Sequence, residues 1–148
     1  MGASYGTSHA PVQSAIQFFE HLSQADIARM DEIYSVDAFF KDPFNEVKGI
    51  SAITAIFDHM FVKVDKPRFV VTSSVAQGDE VFLVWDFHLK FKGETQARTI
   101  RGSSHLRFDA SGKIVYHRDY WDAAEELYEK LPIIGSVMRF LKRQANKA

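Results

Sequence analysis

The segment VYHRDYWD, Val115–Asp122, combines the residue alternation of a β-strand with two acids, a histidine and an arginine. His117 and Asp119 are two residues apart, so in a strand both side chains point to the same face. A histidine beside a carboxylate can move a proton near neutral pH, because the carboxylate fixes the imidazole tautomer and supports the imidazolium. The alternative is a structural role, in which a buried Asp119 accepts hydrogen bonds from backbone amides or pairs with Arg118.

A second pair, Asp86 and His88, has the same spacing in the segment EVFLVWDFHLKF. It is open to the same acid–base interpretation, or to that of a solvent-facing pair beside Lys90. Asp42 precedes Pro43 in FKDPF, where it either opens a turn or faces a pocket. Converging histidines and aspartates would suit zinc or iron, but local ligand spacings such as HExxH are absent, so we predict no metal and no cofactor.

The composition narrows the class of protein. A chain of 148 residues, 46% hydrophobic and 25% charged, suits one soluble domain with a hydrophobic core. The net charge of -1 argues against nucleic acid as a partner, and the absence of cysteine excludes disulfides and thiol chemistry. No apolar run approaches the roughly 20 residues of a membrane span. The start, MGASYGTSHA, lacks the features of a signal peptide, so we expect a cytoplasmic protein with a disordered leader over 1–11.

The order of predicted elements indicates an α+β fold. Apolar residues at helical spacing predict helices over 10–24, 25–34 and 49–61. A period of two then predicts strands over 68–77, 80–91, 95–108 and 114–122. Short glycine-bearing turns between these strands favour an antiparallel meander, with the helices packed on one face of a curved sheet. The tail over 123–148 returns to a helical pattern.

The inward face is readable for one strand and ambiguous for another. In 95–108 we expect Ile100, Ser104 and Leu106 to face the helices. In 80–91 one face is entirely apolar, and the other carries Asp86 and His88. Burial alone would turn the apolar face inward.

The segments IYSVDAFFKDPFNEVKG and GKIVYHRDYWD resemble the nuclear transport factor 2-like superfamily, in its SnoaL-like branch. The resemblance runs from about Val12 to Asp122, which we take as the domain, with 123–148 as a C-terminal helical extension. It implies a cone-shaped, curved antiparallel sheet that wraps around the N-terminal helices and leaves a pocket. Members of that superfamily include ketosteroid isomerases, limonene epoxide hydrolase, polyketide cyclases and noncatalytic binders, so the fold alone does not give the function.

Comparison with the isomerases implies that Asp42 stands at the proton-shuttling aspartate. The tyrosine that donates to the oxyanion then falls on Phe18, and its aspartic-acid partner falls on Ser104. Phe18 has no donor and Ser104 offers one hydroxyl. An enolate without its oxyanion hole loses the largest catalytic contribution, which argues against the familiar isomerase mechanism.

Comparison with the epoxide hydrolase implies that its catalytic aspartate falls on Asp119, and that its Arg-x-Asp pair falls on Asp86 and His88. Asp119, His88, Asp86 and Asp42 are therefore the candidate catalytic residues. This alignment turns Val84, Asp86 and His88 toward the pocket. It leaves an apolar outer face that we expect to form a homodimer interface, made of Trp85, Phe87, Leu89 and Phe91.

The remaining candidates would bind the ligand. Arg98 either pairs with one of the acids or meets an anionic substrate. The other expected pocket residues are His117, Trp121, Phe18, Tyr34, Phe40, Phe57, Val84 and Ser104.

The sequence therefore supports two main hypotheses. The first is a cofactor-free acid–base hydrolase, cyclase or isomerase that acts on a small hydrophobic substrate. The alternative is a noncatalytic ligand-binding module, and a third hypothesis is a dimerisation module with a filled core. For the tail we expect a lid or a dimer contact rather than a helix on a membrane surface.

Overall fold

The computed structural model describes the backbone of residues 5–127 and 132–146, and the side chains of 10–127, 137 and 139–146. The helices are α1 (Tyr5–Glu20), a 3-10 helix (Gln24–Glu32), α2 (Ile50–Lys63), α3 (Ala123–Glu126) and α4 (Pro132–Asn146). The strands are β1 (Tyr34–Lys41), β2 (Glu46–Lys48), β3 (Val64–Gln77), β4 (Glu80–Phe91), β5 (Arg98–Phe108) and β6 (Ile114–Tyr120). This order confirms the predicted α+β class. The second predicted helix is a 3-10 helix, and Tyr34 begins the first strand instead of ending that helix.

The strands form one curved, unclosed sheet in the order β2-β1-β6-β5-β4-β3. The predicted meander of β3 to β6 is confirmed, because each of these strands pairs antiparallel with the next. In addition, β1 pairs parallel with β6, so the first strand lies beside the segment with which the sequence analysis began. Gly78 and Gly112, with φ of 61° and 86°, take the left-handed conformation that these tight turns require.

The core lies between the sheet and helices α1 and α2. Val12, Ala15 and Phe19 come from α1, and Ile53 and Phe57 come from α2. They pack against apolar side chains of the concave face of the sheet, among them Val81, Leu83, Ile100, Leu106 and Ile114. The face predicted for β5 is confirmed, since Ile100, Ser104 and Leu106 are all buried.

The orientation that the resemblance gave to β4 is wrong. Trp85 is only 5% exposed and Leu89 only 4%, whereas Val84 on the opposite face is 49% exposed. Alternation is strict along a strand, so the alignment slipped by one position and reversed every side chain. The physical reason is the hydrophobic effect, since the apolar face bears the larger apolar area. Val84, Asp86 and His88 therefore lie on the outer face of the sheet.

The same reversal corrects the expected dimer surface. Trp85, Phe87, Leu89 and Phe91 face inward, so they cannot form an interface on the outside of the sheet. Whether the chain forms a homodimer stays a prediction.

The two ends of the chain fall partly outside the described residues. Helix α1 begins at Tyr5, inside the stretch 1–11 that we predict as a leader, and residues 1–4 are not described. Helix α4 lies in the predicted helical extension, where Val137, Phe140 and Leu141 are about half exposed. Within the described ranges, no helix is both long and apolar enough to cross a membrane.

Candidate functional site

Strand β6 directs His117 and Asp119 to the concave side of the sheet. His117 is 4% exposed, and its Nε2 lies 2.7 Å from Asp119 Oδ1. Its other ring nitrogen, Nδ1, lies 2.6 Å from the hydroxyl of Tyr34, which begins β1. Both ring nitrogens of His117 therefore have a hydrogen-bond partner. The expected His117–Asp119 pair is present as a direct contact.

The two partners of His117 favour one tautomer. The ionised carboxylate of Asp119 can only accept, so Nε2 carries the proton and donates to Oδ1. Nδ1 of the neutral ring then accepts from Tyr34. Burial raises the pKa of Tyr34 well above its usual value, and the nearby charge of Asp119 raises it further. Tyr34 therefore keeps its proton and remains a donor to His117.

Ser104 holds the same oxygen of Asp119 from the neighbouring strand. The Ser104 Oγ lies 2.5 Å from Asp119 Oδ1, and the Trp85 Nε1 lies 2.8 Å from Ser104 Oγ. An indole N–H can only donate, so the serine oxygen accepts from Trp85 and gives its own proton to Asp119. One line of hydrogen bonds thus runs from Trp85 through Ser104 and Asp119 to His117 and Tyr34.

Gly102 makes room for the indole in this arrangement. It lies opposite Trp85 across the β4–β5 pair. A Cβ atom at position 102 would lie 2.5 Å from Cη2 of Trp85 and 2.8 Å from its Cζ2, well inside contact distance. The absence of a side chain at position 102 therefore decides where the indole lies.

The second oxygen of Asp119, Oδ2, has no hydrogen-bond partner among the described residues and is not fully buried. Among the described residues, both hydrogen bonds to this carboxylate reach Oδ1, and no buried side-chain oxygen or nitrogen lacks a partner. Oδ2 is therefore accessible in part, and Asp119 lines a cavity of about 820 Å³. That volume lies within the range of small-molecule pockets.

The wall of this cavity is mainly aromatic and aliphatic. Rings reach it from four elements, β1, α2, β3 and β4, and from the loops after β1 and β6, including Phe40, Phe44, Phe57, Phe69, Trp85 and Trp121. Phe69 stacks on Phe87 with ring centroids 4.2 Å apart, and Phe44 meets Trp121 edge-on at 5.6 Å. The ionisable residues of the lining are Asp42 and Asp119 on the sheet side, and His59 and Lys63 on α2.

Asp42 both opens a turn and lines the cavity, the two roles that the sequence analysis left as alternatives. Its Oδ1 accepts from the backbone N–H groups of Phe44 and Asn45, at 2.8 and 2.7 Å, so the carboxylate organises the turn after β1. Asp42 also lines the cavity. The two roles are compatible because the turn engages mainly one oxygen.

Several predicted pocket residues lie where we expect them. Phe40, Phe57 and Trp121 line the cavity. Tyr34, Ser104 and His117 do not line it but lie behind Asp119 in the hydrogen-bonded line, so they could act only through that carboxylate.

Other predicted site residues lie elsewhere. Phe18 packs against Phe19 at the margin of the core and does not line the cavity, and it is Phe19 that places its ring against His117, at 5.6 Å. Arg98 pairs with Glu94 at 3.1 Å and lies over the ring of Phe91, so it meets neither a catalytic acid nor the cavity.

The pair on β4 is also displaced from the site. His88 Nδ1 bonds Thr99 Oγ1 at 3.0 Å, and Asp86 lies opposite Arg101 in the β4–β5 register. Neither residue lines the cavity. The second expected acid–base pair therefore does not belong to the same site as Asp119.

Sequence reasoning missed the inward role of Trp85, Phe87 and Phe69. The signal that could have placed the first two was present, since alternate residues from Val81 to Phe91 are all apolar. For metals, no group of three His, Asp or Glu side chains within the described part of the chain is arranged to hold an ion.

Comparison with known proteins agrees with this geometry at the level of the fold. A structure of a hypothetical protein with a ketosteroid isomerase-like fold from Catenulispora acidiphila, in complex with trimethylamine, superposes with a TM-score of 0.69 at 15% identity, over 80% of this chain and 89% of that one. An LEH-like epoxide hydrolase from M. tuberculosis gives 0.64 at 16%, over 80% and 85%. A putative SnoaL-like polyketide cyclase from Shewanella denitrificans gives 0.67 at 18%, over 82% and 97%.

No curated protein sequence matches the chain. A family model, that of the SnoaL-like domain, matches residues 15–117, which include His117 and end two residues before Asp119. The chain therefore belongs to the SnoaL-like domain family and has the NTF2-like fold that the sequence predicted.

Proposed function

We propose that this protein is a cofactor-free enzyme that uses Asp119 for acid–base catalysis on a small, largely apolar substrate. The observation that carries this proposal is that the two oxygens of the Asp119 carboxylate have different surroundings. Oδ1 is fixed by His117 and Ser104, while Oδ2 has no partner among the described residues and Asp119 lines an aromatic cavity. Such fixed geometry is what a general base requires, because proton transfer needs its acceptor within hydrogen-bond reach of the substrate.

In this mechanism Asp119 Oδ2 takes a proton from the substrate, or from a water that attacks it. The donors on Oδ1 keep the carboxylate from turning away. The proton on Asp119 then returns to a different substrate atom in an isomerase or cyclase, or to the leaving oxygen in a hydrolase. The proton balance closes without a cofactor in each case.

The environment of Asp119 also argues against two specific reactions. Ser104 already gives its proton to Asp119, and Phe18 lies outside the cavity, so neither supplies an oxyanion donor of the isomerase type. The inward face of β4 is apolar, so the Arg-x-Asp partners expected from the epoxide hydrolase are missing from it. The proposal therefore names the class of chemistry and no single reaction.

The test is a substrate screen with two matched aspartate variants. Purified wild type, Asp119→Asn and Asp86→Asn would be incubated with aromatic epoxides, enolisable ketones and polyketide-like β-ketoesters, with products followed by mass spectrometry. We expect any turnover to fall by about 10²-fold or more in Asp119→Asn. Asp86→Asn makes the same chemical change on the outer face and should leave turnover intact. Equal losses in the two variants would contradict the proposal.

The second candidate function is a noncatalytic ligand-binding module. One observation favours it. Apart from Asp119, the one ionisable residue that the described sheet side of the cavity offers is Asp42, and Oδ1 of that carboxylate is engaged in its own turn. A neighbour of similar fold is in complex with trimethylamine, so a protein of this fold can bind a small organic molecule. A binder would show ligand-induced stabilisation of both wild type and Asp119→Asn, with no product in either.

A further inference from the structure

The two carboxylates that line the cavity lie side by side. Strands β1 and β6 are parallel, with Phe40 opposite His117 and Lys41 opposite Arg118. Continuing this register by one residue places Asp42 level with Asp119, and neighbouring strands are about 4.8 Å apart. Both acids also border a smaller adjoining cavity of about 570 Å³, whose lining includes Trp121 and the two cations Lys41 and Arg118. Two carboxylates therefore stand at one end of a mainly apolar space.

Although Lys41 and Arg118 line the smaller cavity, their charged groups are engaged by other residues. Lys41 alternates to the other face, where its Nζ lies 3.7 Å from Glu46. Arg118 does the same, with its guanidinium 4.6 Å from the ring of Tyr120. In the described part of the chain, no ion pair within 4.0 Å reaches Asp42, and the basic partner of Asp119 within that distance is His117.

The basic side chains that line the main cavity come from a different element. His59 and Lys63 lie four residues apart near the end of α2, across the cavity from the sheet, and both are exposed. The ionisable groups of the main cavity are therefore segregated, with acids on β6 and in the turn after β1, and bases on α2.

Aromatic rings lie next to the acidic end. Phe44 follows Asp42 in the turn and Trp121 follows Asp119 by two residues, and the two rings meet edge-on. Asp42 itself is rigid, because three N–H donors converge on its Oδ1: the backbone amides of Phe44 and Asn45, and the Asn45 side chain at 3.1 Å. Its Oδ2 has one long contact, 3.2 Å from the same side-chain amide, and retains capacity to accept.

We propose that the substrate or ligand of this cavity carries a protonated or quaternary amine. Its cationic head lies against Asp42 and the faces of Phe44 and Trp121, while its apolar body fills the space toward Phe57 and Phe87. A fixed carboxylate supplies charge, and aromatic faces attract a cation through their quadrupole. A carboxylate or phosphate ligand would instead meet like charge at this end. This binding does not depend on catalysis. If Asp119 also acts as a base toward the bound amine, that role rests on the proposed function.

The measurement uses a set of three probes that differ in charge. Benzyltrimethylammonium is the cation, neopentylbenzene is its neutral isostere, and phenylacetate is the anion. The chain has two tryptophans, Trp85 and Trp121, and both line the cavity, so intrinsic fluorescence reports occupancy directly. We expect the cation to bind at least about tenfold more tightly than the neutral isostere, and the anion to bind weakest.

Two variants assign the preference to a residue. In Asp42→Asn the amide oxygen can still accept in the turn, and we expect the preference for the cation to fall to about twofold with neutral binding unchanged. Asp37→Asn removes an exposed acid of the same strand and should leave the preference intact. Equal affinity for cation and neutral isostere in the wild type, or an unchanged preference in Asp42→Asn, would overturn the proposal.

This outcome is separable from the enzyme hypothesis. Binding of the probes needs no turnover, so amine selectivity can hold in a protein that proves to be a binder. Conversely, loss of turnover in Asp119→Asn on a neutral substrate, combined with no charge preference among the probes, would support the acid–base proposal and refute the amine.

Discussion

His117 Nε2 lies 2.7 Å from Asp119 Oδ1, and this contact connects the buried core to the cavity. Behind His117 stands Tyr34, which is 1% exposed, and in front of it Asp119 reaches the open space. The carboxylate is thus oriented by groups that no ligand can displace. Substitutions along this line of hydrogen bonds should consequently affect catalysis and stability in different proportions.

Replacing His117 by glutamine should lower turnover. The imidazole is the group beside Asp119 that can take up charge near neutral pH, and an amide cannot. We expect kcat to fall by about 10²-fold, with a smaller change in KM. His88→Gln is the matched control, because that histidine bonds Thr99 on the outer face. If both variants retain wild-type kcat, His117 has only a structural role.

Replacing Ser104 by alanine should destabilise the fold and loosen Asp119. The change removes the acceptor for Trp85 and a donor to Asp119, which leaves the buried indole N–H without a partner. We expect a loss of about 1–3 kcal/mol in the free energy of unfolding, measured by urea denaturation. Ser103→Ala, one residue away on the opposite face of β5, should cost little. A similar loss in the two variants would mean that the strand, and not the hydrogen bonds, is responsible.

Replacing Gly102 by alanine should displace Trp85. The new Cβ would meet the indole at 2.5 Å, so the ring must move or the β4–β5 pair must separate. Overpacking of this kind costs about 1–3 kcal/mol. The tryptophan emission spectrum should shift, since Trp85 is one of two tryptophans in the chain. An unchanged emission spectrum and an unchanged free energy of unfolding would contradict the expected clash between the new methyl group and the indole.

Alkaline pH should destabilise the protein through Tyr34. Burial raises the pKa of Tyr34 in the folded state above the value of about 10 that it has when unfolded. Below pH ~10 both states keep the proton, and the contribution of Tyr34 to stability is complete. As pH rises beyond that value the unfolded state releases its proton first, so the free energy of unfolding falls until the folded pKa is passed.

The Tyr34→Phe variant isolates this effect from that of the other four tyrosines and of the lysines. It should be less stable than wild type near neutral pH, because Nδ1 of His117 loses its donor. The gap between the two stability curves should narrow above pH ~10. Parallel curves from pH 8 to 11 would contradict the assigned burial of the tyrosine hydroxyl.

Local patterns of apolar residues in the sequence predicted much of the fold. The change from helical spacing, which ends at residue 61, to alternation from residue 68 predicted the order of elements, because each period reflects how a helix or a strand presents side chains to a core. The inward face of β5 was legible for the same reason, since Ile100 and Leu106 are apolar and Arg101 and Arg107 are charged. The H-x-D spacing in β6 likewise placed His117 and Asp119 on one face before any fold was known.

Tertiary structure decided which ionisable residues meet. Asp86 and His88 have the same spacing as His117 and Asp119, and spacing alone cannot separate the two pairs. The difference arises because burying Trp85 and the other apolar side chains of its face stabilises the fold more than burying the polar pair would. That apolar face of β4 therefore points to the core. The partners Tyr34 and Ser104 are 83 and 15 residues from the atoms they bond, and only the parallel pairing of β1 with β6 and the β5–β6 hairpin bring them there.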